Sequence, residues 1–169
     1  MSTLPSRPGV ADTFLFGYAK PVPVNFRALR NQRIGMVWVA LAGPAINIVL
    51  ATIVAFAFHA LPLVPADAAK WTADNLKNAF LINIVLAIFN MMPIPPLDGG
   101  RVAVGLLPQV LAYPLSRLEP YGMLILLGLL IVLPVIGAQL GLNLDVISAI
   151  LRTLTGYVIR ALLFITGNA

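Results

Sequence analysis

The sequence predicts an all-α integral membrane protein, a small bundle of three to four transmembrane helices. Of its 169 residues, 60% are hydrophobic and only 10% are charged, whereas soluble domains carry about 25% charged residues. Residues 34–66 contain no Asp, Glu, Lys or Arg, and a membrane span needs about 20 apolar residues. The three prolines of PIPPLDGG at 93–100 interrupt a second apolar run. Since a proline disfavours helix in the preceding residue, one broken helix is predicted there.

The apolar runs place four helical segments in a single membrane domain over residues 14–169, after an exposed or disordered start at 1–13. The second helix should be short, about 16 residues or some 24 Å, against a hydrocarbon core of roughly 30 Å. The last helix has polar residues at helical spacing opposite an apolar face. It could lie in the interface or pack on the bundle with a wet face, and a partly embedded, amphipathic position is favoured. The predicted segments are about 36–61, 76–91 followed by an extended stretch at 92–97, 121–138 and 144–166.

The charges predict how these segments are oriented. The net charge is +5, and five cations precede the first apolar run, namely Arg7, Lys20, Arg27, Arg30 and Arg33. The next loop is close to neutral, and Arg101 and Arg117 follow the second helix. By the positive-inside rule, the N-terminus and Asp98 face the cytoplasm in a multi-pass protein of the cell (inner) membrane. The basic residues form no stripe typical of nucleic-acid binding, and the absence of cysteine excludes thiolate metal sites.

Asp98 is the acidic residue of greatest interest, because carboxylates at membrane depth are rare and usually functional. It could cap the short helix that follows, pair with Arg101 three residues later, or bind a cation. The broken backbone beside it favours a functional role. Asn47, in GPAIN at 43–47, is either an interhelical hydrogen-bonding residue or a site residue.

Three further features have less specific interpretations. FGYAKPVPVN at 16–25 is predicted to be extended; its prolines favour a surface linker over an edge that pairs with a peptide strand. The single histidine, His59, lacks the H-E-x-x-H pattern and is expected at the membrane interface. The single glutamate, Glu119, is expected to pair with Arg117 or to be solvated.

The segment NMMPIPPLDGGRV at 90–102 resembles the N-x-x-P-x-P-x-L-D-G-G signature of the site-2 protease family, the intramembrane zinc metalloproteases. FGYAKPVPVN, GPAIN and LEPYG at 118–122 are similar to segments of its compact bacterial branch. The resemblance covers residues 14 to about 138. It implies a hydrolase that cleaves transmembrane segments of membrane proteins within the lipid bilayer.

In that family, two histidines of an H-E-x-x-H helix and the aspartate of the LDG motif hold zinc, and the glutamate between the histidines is the general base. The resemblance implies that Asp98 is a zinc ligand, that Asn90 orients the substrate or the oxyanion, and that Asn47 lies near the site. It also implies that an extended segment holds the substrate as a strand. The residues of that segment are Lys20, Pro21, Val22, Pro23, Val24 and Asn25.

One departure from the family pattern is large. The family places H-E-x-x-H before the FGxAKPVPVN stretch, and this sequence has no counterpart of that helix, of its glutamate or of its histidines. We therefore expect a fragment of a longer protease or a natural remnant, inactive and without zinc on its own. The alternatives are a non-catalytic membrane module that binds transmembrane segments and, third, a transporter-like protein, although no internal repeat is seen. The sequence implies no particular oligomeric state.

Overall fold

The computed structural model describes residues 32–142 and 145–168. This part of the chain contains helices and no strand, which confirms the all-α class. Two 3₁₀ turns, Phe58–Leu63 and Glu119–Tyr121, and a π-helical turn, Gly128–Val132, connect some of the helices. The helices are α1 (Gln32–Ala57), α2 (Ala66–Asn90), α3 (Asp98–Leu106), α4 (Gln109–Arg117), α5 (Gly122–Leu127), α6 (Leu133–Gln139) and α7 (Val146–Thr166).

Three helical stretches in the described residues are long and apolar enough to cross a membrane. They are Arg33–Leu63, Gln109–Gln139 and Val146–Thr166, with mean hydropathies of 2.2, 2.5 and 1.5. The protein is therefore a multi-pass membrane protein, as predicted. The second of these stretches begins with α4, well before the predicted start at residue 121.

Helix α2 starts at Ala66, ten residues before the predicted start at Leu76, and its 25 residues extend over about 37 Å. Its polar first half is stabilised by bonds within the helix: Lys70 Nζ donates to Asp74 Oδ2 at 2.8 Å. This exposed pair raises the pKa of Lys70 and lowers that of Asp74, chiefly through the hydrogen bond. The predicted short second helix is thus not observed, because hydropathy detects only the apolar half.

The segment 92–97 is a compact series of turns, so the predicted extended stretch is not observed. The Ile94 amide donates to the Met92 carbonyl at 2.7 Å, and the Leu97 amide donates to the Ile94 carbonyl at 2.9 Å. These bonds fold the segment back on itself, and Gly99, Gly100 and Gly122 lie so close to it that a Cβ on any of them would come within 3.0 Å of its backbone. The predicted break itself is present, because α2 ends at Asn90 and α3 begins at Asp98.

The bundle core lies between α1, α2 and α7. One cluster joins buried side chains of all three helices, Ala51, Ala55, Phe80, Ile84, Ile88 and Leu162. At the other end of α7, Ile147 packs with Met92, Leu97 and Leu126. Near its C-terminus, Asn168 Nδ2 donates to the Ala55 carbonyl at 2.9 Å. Helix α7 therefore runs along the bundle from the PIPP turn to the end of α1.

Helix α3 lies against the first part of α1 and runs antiparallel to it. Val102 packs with Val37 and Ala40, and Gly105 is in close contact with the Val37 side chain. At the end of α3, Arg33 Nη2 donates to the carbonyls of Val104 at 3.2 Å and Leu107 at 2.6 Å. Carbonyls at a helix C-terminus have no partner within the helix. Arg33 therefore fastens the end of α3 to the start of α1.

We expect Arg33→Ala to lower the free energy of unfolding by about 1 kcal/mol, because two carbonyls lose a charged donor that is itself exposed. Arg33→Lys should restore part of this loss, since an ammonium group can still donate to one carbonyl. Thermal unfolding in detergent and amide exchange of α3 measure both effects. Arg101→Ala, on the exposed side of α3, is the control and should shift the free energy by less than about 0.5 kcal/mol. If amide exchange in α3 is the same in Arg33→Ala and in the wild type, Arg33 does not hold the end of α3 against α1.

Candidate metal-ligand site

The Asp98 carboxylate lies directly against helix α1. Asp98 is partly buried at the first position of α3, and a Cβ built on Gly43 would stand 3.0 Å from Asp98 Oδ2. Gly43 follows Arg33 by ten residues, or about 15 Å of helix. The carboxylate therefore lies beside α1, about 15 Å along the helix from Arg33.

Neither local explanation of Asp98 applies. The N-cap of α3 is Leu97 and Asp98 is the first helical residue, so Asp98 is not the cap. Arg101 pairs with Glu119 instead, at 3.3 Å between Nη2 and Oε1. Among residues 32–142 and 145–168, none donates a hydrogen bond to the Asp98 carboxylate or forms a salt bridge with it.

Of the two expectations for Glu119, pairing with Arg117 was wrong, because its partner is Arg101; its side chain is about half exposed to solvent. These two residues are 18 positions apart, and the turn at Glu119–Tyr121 brings them together. Arg117 instead places its guanidinium over the Tyr113 ring, 5.5 Å from the centroid. Both groups of the Arg101–Glu119 pair are about half exposed. Because Arg101 pairs with Glu119, it forms no ion pair with Asp98.

Two asparagines flank the Asp98 region. Asn47 follows Gly43 by one turn on the same face of α1, and Asn90 is the last residue of α2, just before the carbonyl that contacts Gly99. Both side chains are partly buried, and neither forms a hydrogen bond within the described part of the chain. Asn83, in contrast, is satisfied by the Ala79 carbonyl of its own helix at 2.8 Å. The interhelical bond considered for Asn47 is therefore not formed with any described residue.

Three glycines determine the shape of the turn before Asp98. A Cβ at Gly99 would overlap the Met91 and Met92 carbonyls, and one at Gly100 would lie 2.8 Å from the Pro95 nitrogen. From α5, a Cβ at Gly122 would lie 2.6 Å from the Pro95 carbonyl carbon. Together with Gly43, these are site-shaping residues that the sequence reasoning did not select, although the GG pair and the GPAIN motif contain three of them.

An apolar groove of about 680 Å³ opens beside this region, between α1, the end of α2 and α7. It is bordered by Pro44, one residue after Gly43, and by Met91, Met92 and Pro93, which follow Asn90. The groove is lined by sequence neighbours of Asn47 and Asn90, while the Asn47, Asn90 and Asp98 side chains themselves do not line it.

The described residues do not by themselves fit a zinc ion. Catalytic zinc takes three protein ligands, and no three His, Asp or Glu side chains within residues 32–142 and 145–168 come close enough to hold a metal. His59 lies in the 3₁₀ turn that follows the far end of α1, near Gly167 and sixteen residues from Gly43. Asp98 is therefore a single candidate ligand.

The predicted substrate-holding residues lie outside the described part of the chain. They are Lys20, Pro21, Val22, Pro23, Val24 and Asn25. Their proposed role as an extended strand stays a prediction.

Comparison with known proteins finds a match to one protein family. The model of peptidase family M50 matches residues 62–133, a range that contains Asn90, the PIPP turn and Asp98. No solved structure matches the chain significantly.

Two relatives of this chain are named as putative zinc metalloproteases. “Putative zinc metalloprotease YwhC” of Bacillus subtilis is 35% identical over 120 residues, which cover 69% of this chain and 55% of that protein. “Putative zinc metalloprotease MJ0611” of Methanocaldococcus jannaschii is 44% identical over 66 residues, which cover 38% of this chain and 31% of that protein. The chain spans about half the length of the first relative and about a third of the second. With the LDGG motif inside the matched range, these similarities show that the matched part of this chain, residues 62–133, belongs to peptidase family M50, the site-2 protease family.

Proposed function

We propose that this chain supplies the aspartate ligand of the zinc site in an intramembrane metalloendopeptidase that cleaves transmembrane segments of other membrane proteins. The observation that carries the proposal is the Asp98 carboxylate, which is partly buried against Gly43 and has no partner among the described residues. An ionised acid within a membrane domain is costly unless it faces a cation or water. A metal ion is the partner that this family uses.

The two unpaired amides suit the handling of an unwound peptide. A helical substrate hides its carbonyls in hydrogen bonds, so a cleavable segment must first be opened. An asparagine amide both donates and accepts hydrogen bonds, and Asn47 and Asn90 would bind the exposed peptide groups. The neighbouring apolar groove would take the side chains of a membrane segment. Residues 20–25 would add an extended edge for pairing with the substrate.

We further propose that the chain alone retains no stoichiometric zinc and cleaves no peptide bond. One carboxylate cannot hold zinc against competition from water and buffer, because a catalytic site needs three protein ligands. The remaining ligands would come from an H-E-x-x-H helix packed against α1 and α3. The excess of cations before α1 supports a cytoplasmic position for that end of the helix, in the cell membrane.

Zinc content tests this proposal directly. The chain is purified in detergent with zinc present, and zinc per chain is measured for the wild type, Asp98→Ala and the control Glu119→Gln. We expect far less than one zinc per chain in all three. Co-expression with a membrane-anchored H-E-x-x-H helix from a complete family member should raise the zinc content of the wild type and the control, but not that of Asp98→Ala.

Two outcomes would contradict the proposal. One is a tightly bound zinc in the chain alone; the other is equal zinc in Asp98→Ala and wild type after co-expression. Helical circular dichroism of each variant shows that a loss of zinc does not reflect unfolding.

A non-catalytic module that binds membrane segments is the second candidate, because only one ligand is present in the described residues. It predicts that an apolar helix binds the groove and that no zinc is gained on co-expression. The zinc measurement therefore separates the two functions.

A further inference from the structure

An open pocket of about 600 Å³ lies where α1 begins, α3 ends and α4 begins. Part of its wall is polar and includes Arg33, Gln109 and Tyr113; another part is apolar and includes Met36 and Val110. The pocket, which we call the α1–α4 pocket, therefore combines a cation and hydrogen-bonding groups with an apolar surface.

Two membrane-length stretches of the chain begin at this pocket. Arg33 is the first residue of the stretch Arg33–Leu63, and Gln109 is the first residue of Gln109–Gln139. Each stretch has 31 residues, or about 46 Å of helix, whereas the hydrocarbon core is roughly 30 Å thick and the bilayer with its headgroups about 40–45 Å. The ends of these stretches therefore extend beyond the hydrocarbon core, and the α1–α4 pocket lies at the level of the lipid headgroups.

Two guanidinium groups without an acidic partner are associated with the pocket. Arg33 uses Nη2 for the carbonyls at the end of α3, and a guanidinium has further N–H donors. Arg117 lies over the pocket-lining Tyr113 ring, 5.5 Å from its centroid. Within residues 32–142 and 145–168, neither arginine forms a salt bridge. Glu119, two residues after Arg117, is already paired with Arg101.

The apolar wall argues for a lipid and against a soluble anion. Val110 is 83% exposed and the nearby Leu106 is 71% exposed. These side chains contribute nothing to the binding of a free anion, but they can contact the acyl chains of a phospholipid. The sequence adds Arg27 and Arg30 within six positions of Arg33. Basic clusters beside a membrane helix attract anionic lipids, and basic pockets between membrane helices bind their headgroups.

We infer that the α1–α4 pocket binds an anionic phospholipid, with its phosphate on Arg33 and Arg117 and its chains against the apolar wall. A guanidinium is suited to phosphate, because it donates two parallel hydrogen bonds and carries a permanent charge. The Gln109 amide can donate to the headgroup as well. Such a lipid would connect the beginnings of the two membrane-length stretches. The interaction involves neither Asp98 nor zinc, so it is independent of the proposed catalytic role.

Competition between two lipids tests this inference. The full chain is purified in neutral detergent and incubated with equal amounts of phosphatidylglycerol and phosphatidylcholine that carry the same acyl chains. Native mass spectrometry measures how much of each lipid stays bound, and we expect the wild type to prefer phosphatidylglycerol. Arg117→Gln should lower this preference about fivefold, since one basic residue near an anionic lipid contributes about that factor. Arg33→Lys, which keeps the charge, should keep most of it.

Two further variants separate a lipid seated in the pocket from a general attraction to positive charge. Gln109→Trp crowds the pocket without changing the charge, so it should lower the retention of phosphatidylglycerol. Arg160→Gln is the matched control, because Arg160 also lies over a tyrosine ring, at 5.0 Å from the centroid, but on α7. This control should leave the preference intact. Circular dichroism of each variant shows that the chain is folded.

Three results would overturn the inference. The first is a preference that Arg117→Gln leaves unchanged or that Arg160→Gln lowers to the same extent. The second is unchanged retention of phosphatidylglycerol in Gln109→Trp, because the attraction would then not involve the pocket. The third is displacement of phosphatidylglycerol by millimolar inorganic phosphate, because the pocket would then bind a soluble anion.

Discussion

Replacement of Gly99 by alanine is expected to prevent stable folding of the bundle around the PIPP turn. The added methyl group would overlap the Met91 and Met92 carbonyls, which are backbone atoms held by the end of α2. Inserting atoms into a packed core typically costs 1–3 kcal/mol, and a rigid neighbour puts the cost at or above about 3 kcal/mol here. Thermal unfolding in detergent, followed by circular dichroism, measures the loss.

Gly128→Ala is the matched control, because no heavy atom lies within 4 Å of a Cβ at that helical position. Its stability should be unchanged or slightly higher, since alanine favours helix over glycine by up to about 1 kcal/mol. If Gly99→Ala unfolded at the same temperature as Gly128→Ala, the described packing of the turn would be incorrect.

The effect of Gly43→Ala on the free energy of unfolding is expected to change sign with the residue at position 98. In the wild type, the new methyl group would press on Asp98 Oδ2 at 3.0 Å and lower the free energy of unfolding by about 1 kcal/mol. With Asp98→Ala the oxygen is gone, so Gly43→Ala should stabilise α1 by up to about 1 kcal/mol. The coupling between the two positions is thus about 2 kcal/mol, within the range for residues in contact.

A double-mutant cycle measures this coupling from the unfolding of the four proteins. Equal effects of Gly43→Ala in both backgrounds would show that the carboxylate does not lie against α1. The same cycle with Glu119→Gln in place of Asp98→Ala is the control, because Glu119 pairs with Arg101 at the exposed side of α3, and no coupling is expected there.

The sequence was sufficient to predict features that depend on local chemistry. Long apolar runs indicated the membrane helices, and Pro93 indicated the end of α2 because a proline acts on the residue beside it. The LDGG motif indicated Asp98 as the residue to examine. The helical half of α2 before Leu76 was missed, since polar residues such as Lys70 and Asp74 stabilise a helix without raising its hydropathy.

Contacts between helices could not be predicted, because they depend on how each helix is rotated in the bundle. Arg101 has Asp98 three residues away but pairs with Glu119 at a separation of 18 residues. The role of Gly43 as the neighbour of the carboxylate follows only from the antiparallel placement of α3 on α1. Nothing in the sequence around Arg33 indicated that it would bind carbonyls more than 70 positions away.

The connection between α2 and α3, residues 91–97, also limits how the family sequence can change in length. The backbone of this connection lies so close to Gly99, Gly100 and Gly122 that a single added Cβ on any of them would come within 3.0 Å of it. An inserted or deleted residue would displace these backbone atoms and disturb the packing that sets Asp98 against α1. Natural variants of this segment should therefore exchange one side chain for another while keeping the same number of residues.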